Sequence, residues 1–300
     1  MMFVDQILAG IFLGAYYALI ACGLSFLFGV MRIINLAHGS IAIVSAYLVF
    51  SLSDHFGISP FFGLLLALPV MAAAGFVLQR TVLERSLRSG PLTPLLSTFG
   101  LAVVLDNSMF QRFGADTRSL ANGIGDLSYS GWTAPGGIQV GQLAVLTLVV
   151  AVALLGGLQL LLNYTPLGRA IRACAEDPDT AELVGIDARN VYAAATAIAL
   201  VTVAIAGTFL GMRATFDPYT GPTQLIFAFE AVVIGGAGSL WGTLFGGIVL
   251  GVAQNLGSQV SPQGFLIGGH LVFLVVLAAR FALAGRDWRS VVRFRKRAAA

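Results

Sequence analysis

Long apolar segments are the feature that most constrains the fold of this chain. Short polar stretches separate eight of them, at residues 6–30, 39–53, 60–80, 92–110, 142–162, 191–212, 224–257 and 264–284. Most approach the ~20 residues that a helix needs to cross a bilayer. Only 10% of the residues are charged, whereas a soluble domain carries about 25%. We therefore predict an all-α fold, a polytopic membrane helical bundle of about 8–9 spans, as one transmembrane domain over residues 1–300.

Basic residues orient these segments, because loops rich in Arg and Lys stay in the cytoplasm. They concentrate in a loop near residues 80–90, in the loop 163–190 and in the tail 285–300. The basic positions are Arg80, Arg85, Arg88, Arg169, Arg172, Arg189, Arg286, Arg289, Arg293, Arg295, Lys296 and Arg297. We expect all three regions to be cytoplasmic and the loop 111–141 to lie outside. Counting crossings back from the 80–90 loop places the N-terminus outside, and a cytoplasmic tail requires residues 224–257 to cross twice. The outer loop is then either an interfacial surface for a soluble partner or a plain connector.

A polar cluster interrupts the apolar pattern between the first two segments. Asn35, His38 and Ser40 surround Gly39 there, close behind the cation Arg32. Irregular polar backbone survives in a membrane only where it is buried in protein or lines a wet cavity. The cluster therefore predicts part of a substrate path, and a short interfacial loop is the alternative.

A second interruption lies in the segment 224–257. Glu230 is its one carboxylate, and the run Gly235, Gly236 and Ser239 follows. A charge at the bilayer centre costs about 2.5–3.5 kcal/mol on insertion scales, so Glu230 should face the bundle interior, a partner or water. The glycines should end a half-helix, which gives each half of the chain one broken polar segment and predicts a weak internal repeat around a substrate route. Alternatively, Glu230 pairs with an Arg to fix helix packing.

The loop 163–190 contains the signals of a short helix. Asp177 suits the N-cap, Pro178 the first helical position and Gly185 the C-terminal stop. A helix of about two turns is unstable alone, so it should dock on another surface. Arg169 and Arg172 lie three residues apart on one face and can meet anionic headgroups or acidic partners. A membrane-surface connector without a partner is the alternative.

Four motifs together resemble one family along almost the whole chain, the bacterial branched-chain amino-acid ABC transporter permeases. The first joins residues 17–24 to the polar cluster 32–39, and the second joins 166–173 to Glu176, Asp177 and Gly185. The third covers 228–236, and the fourth is Gly238-Ser239-Leu240-Trp241-Gly242. The chain departs from the pattern at Ser40 and Gln254, where an acid would be expected, and this leaves the substrate class open.

The resemblance implies an importer subunit for branched-chain or other hydrophobic amino acids, or related small polar organic solutes, in the bacterial inner membrane. Its partners would be a second permease, more readily a paralogue than a second copy, two cytoplasmic ATPases, and a periplasmic or lipid-anchored binding protein. It also implies that the short helix couples transport to the ATPases. The residues expected at that coupling surface are Gly168, Arg169, Arg172, Glu176, Asp177, Ala181, Glu182 and Gly185.

The residues themselves indicate that ATP is used by another chain. A P-loop requires a lysine after its glycine-rich turn, and Lys296 in the tail is the only lysine. We expect no cofactor, no metal at the isolated Cys22 and Cys174, and membrane lipids rather than nucleic acid as surroundings. Two other classes stay open: a self-sufficient channel or ion-coupled carrier, and an intramembrane serine protease using Ser239 and His270.

Overall fold

Helices form nearly all of the described part of the protein. The structure is a computed structural model that describes residues 2–90, 92–134 and 138–298; the side chains of the predicted basic tail 285–300 lie outside the described part. The helices are α1 (Met2–Met31), α2 (His38–Phe56), α3 (Pro60–Leu78), α4 (Glu84–Arg88), α5 (Thr93–Phe113), α6 (Gln142–Tyr164), α7 (Pro166–Glu176), α8 (Pro178–Leu183), α9 (Ala188–Arg213), α10 (Gly221–Gly235), α11 (Leu240–Ser258) and α12 (Gly264–Ala298). A π-helical turn, Gln79–Leu83, joins α3 to α4. A 3-10 stretch, Ala121–Ser128, precedes a hairpin of β1 (Gly131–Ala134) and β2 (Ile138–Gly141).

Seven described helical spans are long and apolar enough to cross a membrane, which confirms the polytopic helical bundle. They begin at Phe3, His38, Pro60, Gln142, Ala188, Leu240 and Gly264. Two further helices correspond to predicted spans but fall outside this set: α10 has only 15 residues, and α5 carries polar groups including Asp106. The segment 224–257 is divided between α10 and α11, as its glycine run predicted.

Small residues bring the long helices together in two matching pairs. Gly14 of α1 lies against the backbone of α11, where an added Cβ would be 2.4 Å from Ile248 Cα. Gly75 of α3 likewise lies against α9, where an added Cβ would be 2.7 Å from the Thr196 carbonyl oxygen. These contacts leave no room for a side chain, so the helix axes approach closely. The pairing of α1 with α11 is thus repeated by that of α9 with α3.

The connection after each of the two central helices has the same local structure. After α1, the Asn35 side-chain oxygen accepts the Ala37 N–H at 3.0 Å; after α9, the Asp217 carboxylate accepts the Tyr219 N–H at 2.7 Å. Both are Asx turns, in which a side-chain oxygen accepts the backbone N–H of the residue two positions later, in place of a backbone carbonyl. A glycine follows four residues later in each case, Gly39 and Gly221. The internal repeat therefore pairs α1 and α2 with α9 and α10.

This pairing corrects one detail of the sequence interpretation. The counterpart of the Asn35–Ser40 region is the turn at Asp217, at the start of α10, and not the glycine run at its end. Residues 214–220 contain Phe216, Pro218 and Tyr219, so they do not stand out as a polar interruption. The glycine run at the end of α10 is the clearer sequence signal, so the second break was predicted there.

The bundle has two distinct ends. At one end, which we name the α8 end, the Arg189 Nε atom lies 2.7 Å from Glu84 Oε1 and joins the 80–90 loop to the start of α9. The Arg280 guanidinium donates to the Ile234 carbonyl oxygen there at 3.1 Å, so the middle of α12 reaches this side. At the opposite end, the hairpin end, Asp5 of α1 and Arg213 of α9 line one cavity. The two predicted basic loops and Arg280 of α12 thus share one end, and the start of α1 lies at the other.

Candidate translocation and coupling sites

The predicted polar cluster forms the start of α2 inside the bundle. Asn35, His38, Gly39 and Ser40 are all buried, and the His38 Nε2 atom lies 2.7 Å from the Ile20 carbonyl oxygen in the middle of α1. Two polar atoms, Asn35 Nδ2 and His38 Nδ1, have no hydrogen-bond partner among the described residues. A buried group without a partner costs about 1–3 kcal/mol, so these atoms are candidates for contacts with a passing solute. The cluster is interior structure rather than an interfacial loop.

The facing wall is the start of α10. An added Cβ on Gly39 would lie 2.0 Å from the Gly221 carbonyl oxygen, so the two helix starts touch through their backbones. One turn along α10, Gln224 accepts a hydrogen bond from Tyr16 of α1 at 2.7 Å. Tyr17, the next residue after Tyr16, donates a hydrogen bond to Gln254 at 2.5 Å. Gln254, which stands where an acid was expected, therefore acts as a hydrogen-bond acceptor.

Sequence reasoning missed Asp106, which lies beside this contact. It projects from α5 towards Ser40, is buried, and leaves its Oδ1 atom without a partner among the described residues. About two turns earlier in α5, the Thr98 hydroxyl accepts the Leu36 N–H at 3.1 Å. The signal was present, because Asp106 is a lone acid in the apolar segment 92–110, as Glu230 is in its own segment.

The meeting of two helix starts gives the bundle centre a defined electrostatic character. Each helix carries roughly +0.5 elementary charge at its N-terminus, where backbone N–H groups lack helical partners. Because α2 and α10 both begin at the Gly39–Gly221 contact, their positive ends add at one place. Such a centre stabilises an anionic group, for example a carboxylate, without a basic side chain.

Glu230 lies within the bundle, two-thirds of the way along α10. It is only 3% exposed, and its Oε1 atom is 2.5 Å from Nδ1 of His270 on α12. The structural alternative expected an Arg partner, and a histidine takes that position. An arginine does reach α10 from α12, but Arg280 donates to the Ile234 carbonyl oxygen and so satisfies the helix end.

The predicted glycine break separates α10 from α11. Gly236 has φ +99°, and an added Cβ on Gly235 would lie 1.9 Å from the Gly242 carbonyl oxygen. The Ser239 hydroxyl caps α11 by accepting the Gly242 N–H at 3.1 Å. This break lies at the far end of α10 from Gly221, a helical distance of about 21 Å at 1.5 Å per residue. The structure therefore does not bring Asn35, His38 and Ser40 next to the break, and the route predicted between them stays a prediction.

The geometry does not support the protease alternative. A serine nucleophile needs a base within hydrogen-bonding reach, about 2.6–3.2 Å. Ser239 is engaged as a helix cap, and His270 bonds Glu230, which is nine residues away from Ser239 along the chain. No hydrogen bond joins Ser239 to His270 in the described part of the chain.

The predicted coupling helix is present as α8. The Asp177 carboxylate accepts the N–H groups of Asp179 and Thr180, both at 3.1 Å, and the Thr180 hydroxyl at 2.6 Å. The hydrogen bonds from Thr180 hold the pKa of the Asp177 carboxyl below its usual range, so the cap is charged at neutral pH. Gly185 ends the helix with φ +86°. Ala181 is buried and anchors the helix, while Glu182 points to the surface.

The preceding helix, α7, is fastened to the end of α6. An added Cβ on Gly168 would lie 2.1 Å from the Leu161 carbonyl oxygen, and the Arg172 guanidinium donates to the Leu162 carbonyl oxygen. Arg172 thus stabilises the corner between α6 and α7. The two other predicted residues of α7 are exposed, Arg169 and Glu176.

An apolar pair at the tip of α8 was also missed. Leu183 is 86% exposed and Val184 is 74% exposed, directly before Gly185. Two adjacent aliphatic residues at the end of a short, acidic helix are the signal that would have found them. Together with Glu182 they form the surface that α8 presents, which we name the α8 tip.

Comparison with known proteins gives a consistent family relationship. The family described as branched-chain amino acid transport system, permease component, matches residues 6–283. The high-affinity branched-chain amino acid transport system permease protein BraD of Pseudomonas aeruginosa is 31% identical over 95% of this chain and 96% of its own length. The LivH protein of the same description from Escherichia coli K12 is 31% identical over 95% and 96%.

A second Escherichia coli K12 permease protein of this transport system, LivM, is 27% identical over 87% of this chain and 66% of its own length. No solved structure gives a significant match. The family match and the relatives above 30% identity cover almost the whole chain, including both Asx turns, the α10–α11 break and the α8 tip. The chain therefore belongs to the permease family of branched-chain amino acid transport systems.

Proposed function

We propose that this chain is the membrane permease subunit of an ABC importer that takes up branched-chain or other hydrophobic amino acids. The contact between the starts of α2 and α10 is the observation that carries the proposal. It offers two helix N-termini and the unpartnered Asn35 and His38 atoms to a passing carboxylate. An amino acid brings that carboxylate, and its net neutrality keeps the cost of entering the bundle low.

Energy enters at the α8 tip, where we place a cytoplasmic ATPase subunit. Leu183 and Val184 supply an apolar anchor and Glu182 a charge, while the buried Ala181 holds the helix to the bundle and Asp177 caps its first turn. A short helix with buried anchoring residues and an exposed apolar tip suits insertion into a groove on another protein. Under this proposal the chain itself neither hydrolyses ATP nor has any other catalytic role.

The orientation follows from charge. Arg80, Arg85, Arg88 and Arg189 lie at the α8 end, and the positive-inside rule then makes that end cytoplasmic. The hairpin end faces the periplasm of a bacterial inner membrane, where a periplasmic or lipid-anchored binding protein delivers substrate. The C-terminal tail leaves on the cytoplasmic side.

A second permease subunit completes the translocation unit, and two ATPase subunits bind the pair on the cytoplasmic side. We place a paralogue there rather than a second copy. Support comes from LivH and LivM, two permease proteins of one organism that are both similar to this chain.

Reconstitution tests the proposal. The chain would be co-expressed with candidate ATPase, permease and binding-protein genes from its own organism, purified as a complex, and placed in proteoliposomes. We expect uptake of labelled leucine that needs both ATP and the binding protein. Uptake without ATP would indicate a channel or carrier, and uptake of an uncharged sugar in place of any amino acid would refute the proposed substrate class.

The α8 tip has its own test within the same system. A Leu183→Asp change should abolish ATPase co-purification, because it places a charge in an apolar contact. The control is Tyr129→Asp, an equally exposed aromatic position at the hairpin end, which should leave the complex intact. ATPase association that survives Leu183→Asp together with Val184→Asp would remove the tip from the interface.

A further inference from the structure

A cavity of about 360 Å³ opens at the hairpin end, away from the central contact. The first turns of α1, the start of α6, the end of α9 and the 3-10 stretch enclose it. This volume lies at the lower end of the ~300–1,000 Å³ typical of small-molecule pockets. We name it the outer cavity. Its size suits one small metabolite.

Opposite charges line the outer cavity. Asp5 contributes a carboxylate whose Oδ1 atom is buried without a hydrogen-bond partner among the described residues. Arg213 contributes a guanidinium, and no ion pair joins it to an acid in the described part of the chain. Two charges that share a cavity without neutralising each other are matched by a ligand that carries both signs.

The remaining wall combines apolar side chains with the polar side chains of Ser128, Gln139 and Thr147. Leu8, Phe12 and Leu13 project from α1 into the outer cavity. Apolar surface with a few placed charges is the usual composition of a small-ligand site. The three side chains of α1 suit an aliphatic group.

Arg213 also connects the outer cavity to the bundle centre. Its guanidinium carbon lies 5.5 Å from the centroid of the Tyr16 ring, and the Tyr16 hydroxyl donates to Gln224 at the start of α10. A cation held over an aromatic ring keeps a fixed direction. The outer cavity and the central contact are therefore joined by one chain of contacts.

We propose that the outer cavity is the first binding site of the permease for a zwitterionic, aliphatic amino acid. Arg213 binds the α-carboxylate, Asp5 binds the α-ammonium group, and Leu8 and Phe12 contact the side chain. This inference rests on the function proposed above and adds a recognition site to it. It places selection for the zwitterion in the permease itself, after release from the binding protein.

Analogues that lack one charge test this assignment, because each should respond to a different residue. The complete reconstituted importer would be assayed with leucine, with leucinamide, which lacks the carboxylate, and with 4-methylpentanoate, which lacks the ammonium group. Each analogue would compete against labelled leucine at saturating ATP. In the native protein we expect both analogues to compete at least tenfold more weakly than leucine, about 1.4 kcal/mol for each missing charge contact.

Variants of the two charged residues then give opposite patterns. Arg213→Gln should raise the KM for leucine about tenfold and reduce the preference for leucine over leucinamide relative to the native importer, while the preference over 4-methylpentanoate is unchanged. Asp5→Asn should do the reverse. The matched control is Arg112→Gln, another arginine at the hairpin end that lines a different cavity, and its leucine KM should be unchanged.

A merely structural role would lower uptake without exchanging the preferences. Equal loss of both preferences in each variant, or an unchanged leucine KM, would overturn the outer-cavity assignment while leucine import by the native complex left the proposed function standing. A native complex that imports no amino acid would overturn both. Extraction and mass spectrometry of the purified complex provide an independent measurement: one tightly held phospholipid that Arg213→Gln removes would assign the site to a zwitterionic headgroup instead.

Discussion

Replacing Gly39 with Ala tests the contact between the two helix starts. The added Cβ would lie 2.0 Å from the Gly221 carbonyl oxygen, 2.8 Å from its carbonyl carbon and 3.0 Å from the Leu225 nitrogen. All three atoms are backbone, so no rotamer change relieves the clash. Overpacking costs about 1–3 kcal/mol, occasionally more, and we expect at least the upper value because α2 and α10 must move apart.

Gly157→Ala is the matched control. Gly157 lies within α6, and an added Cβ there meets nothing within 4 Å. An Ala at such a position gains up to about 1 kcal/mol from helix propensity. A loss of about 3 kcal/mol of stability in Gly39→Ala and a gain of about 1 kcal/mol in Gly157→Ala differ by ~4 kcal/mol. Since 1.36 kcal/mol corresponds to a factor of ten, the ratio of folded to unfolded protein differs close to a thousandfold between the two variants.

Unfolding of the purified permease in mixed micelles, titrated with sodium dodecyl sulfate and followed by circular dichroism, measures this difference. The Gly39→Ala variant should unfold at lower detergent fraction than the native protein, and Gly157→Ala at an equal or higher one. Gly221→Ala should resemble Gly39→Ala, because its added Cβ would lie 2.8 Å from Ser40 Cα. Stability of Gly39→Ala within 1 kcal/mol of Gly157→Ala would show that the helix starts do not touch as described.

Three further outcomes follow from the sites. Gly185→Val should reduce ATPase association and transport with membrane insertion intact, because φ +86° is costly for a β-branched residue, whereas Gly185→Asn, which tolerates this region, should act as native in co-purification assays. Glu230→Gln keeps a hydrogen bond to His270 but removes a charge, and we expect ATP-driven uptake to fall while leucine binding to the soluble receptor is unchanged. Single cysteines at Asn35 and Ser239 should react with small aqueous thiol reagents in at least one transport state, and protection in all states would exclude them from the route.

Local features of the fold could be predicted because local sequence decides them. The cap at Asp177 and the stop at Gly185 depend on residues within one turn of each, and the structure confirms both. The end of α10 was likewise predictable, since Gly236 adopts a positive φ that other residues avoid. Each of these signals needs only the chemistry of a few consecutive residues.

Contacts between distant residues could not be predicted in the same way. Gly39 and Gly221 are separated by most of the chain, and a glycine in a helix start looks the same with or without a facing backbone. The partner of Glu230 shows the same limit. Arginine was the reasonable expectation for a buried acid, but helix packing brings His270 to it. Charge complementarity restricts the type of partner, and only the tertiary arrangement selects the residue.

The internal repeat explains why the centre of the bundle needs no basic side chain. Each half of the chain supplies one Asx turn that allows a helix to begin inside the bundle, and the two helices leave the contact toward opposite ends. Their N-termini together provide about one positive charge at Gly39 and Gly221. A fixed arginine there would hold a carboxylate tightly and slow its release, whereas backbone dipoles weaken as soon as the helix starts separate. Under the two proposals above, Arg213 at the outer cavity and the dipoles at the centre would act as two successive carboxylate sites, the first strong in charge and the second dependent on helix position. A movement of α10 against α2, driven from the α8 end, would therefore change affinity at the centre without altering the charge of any residue.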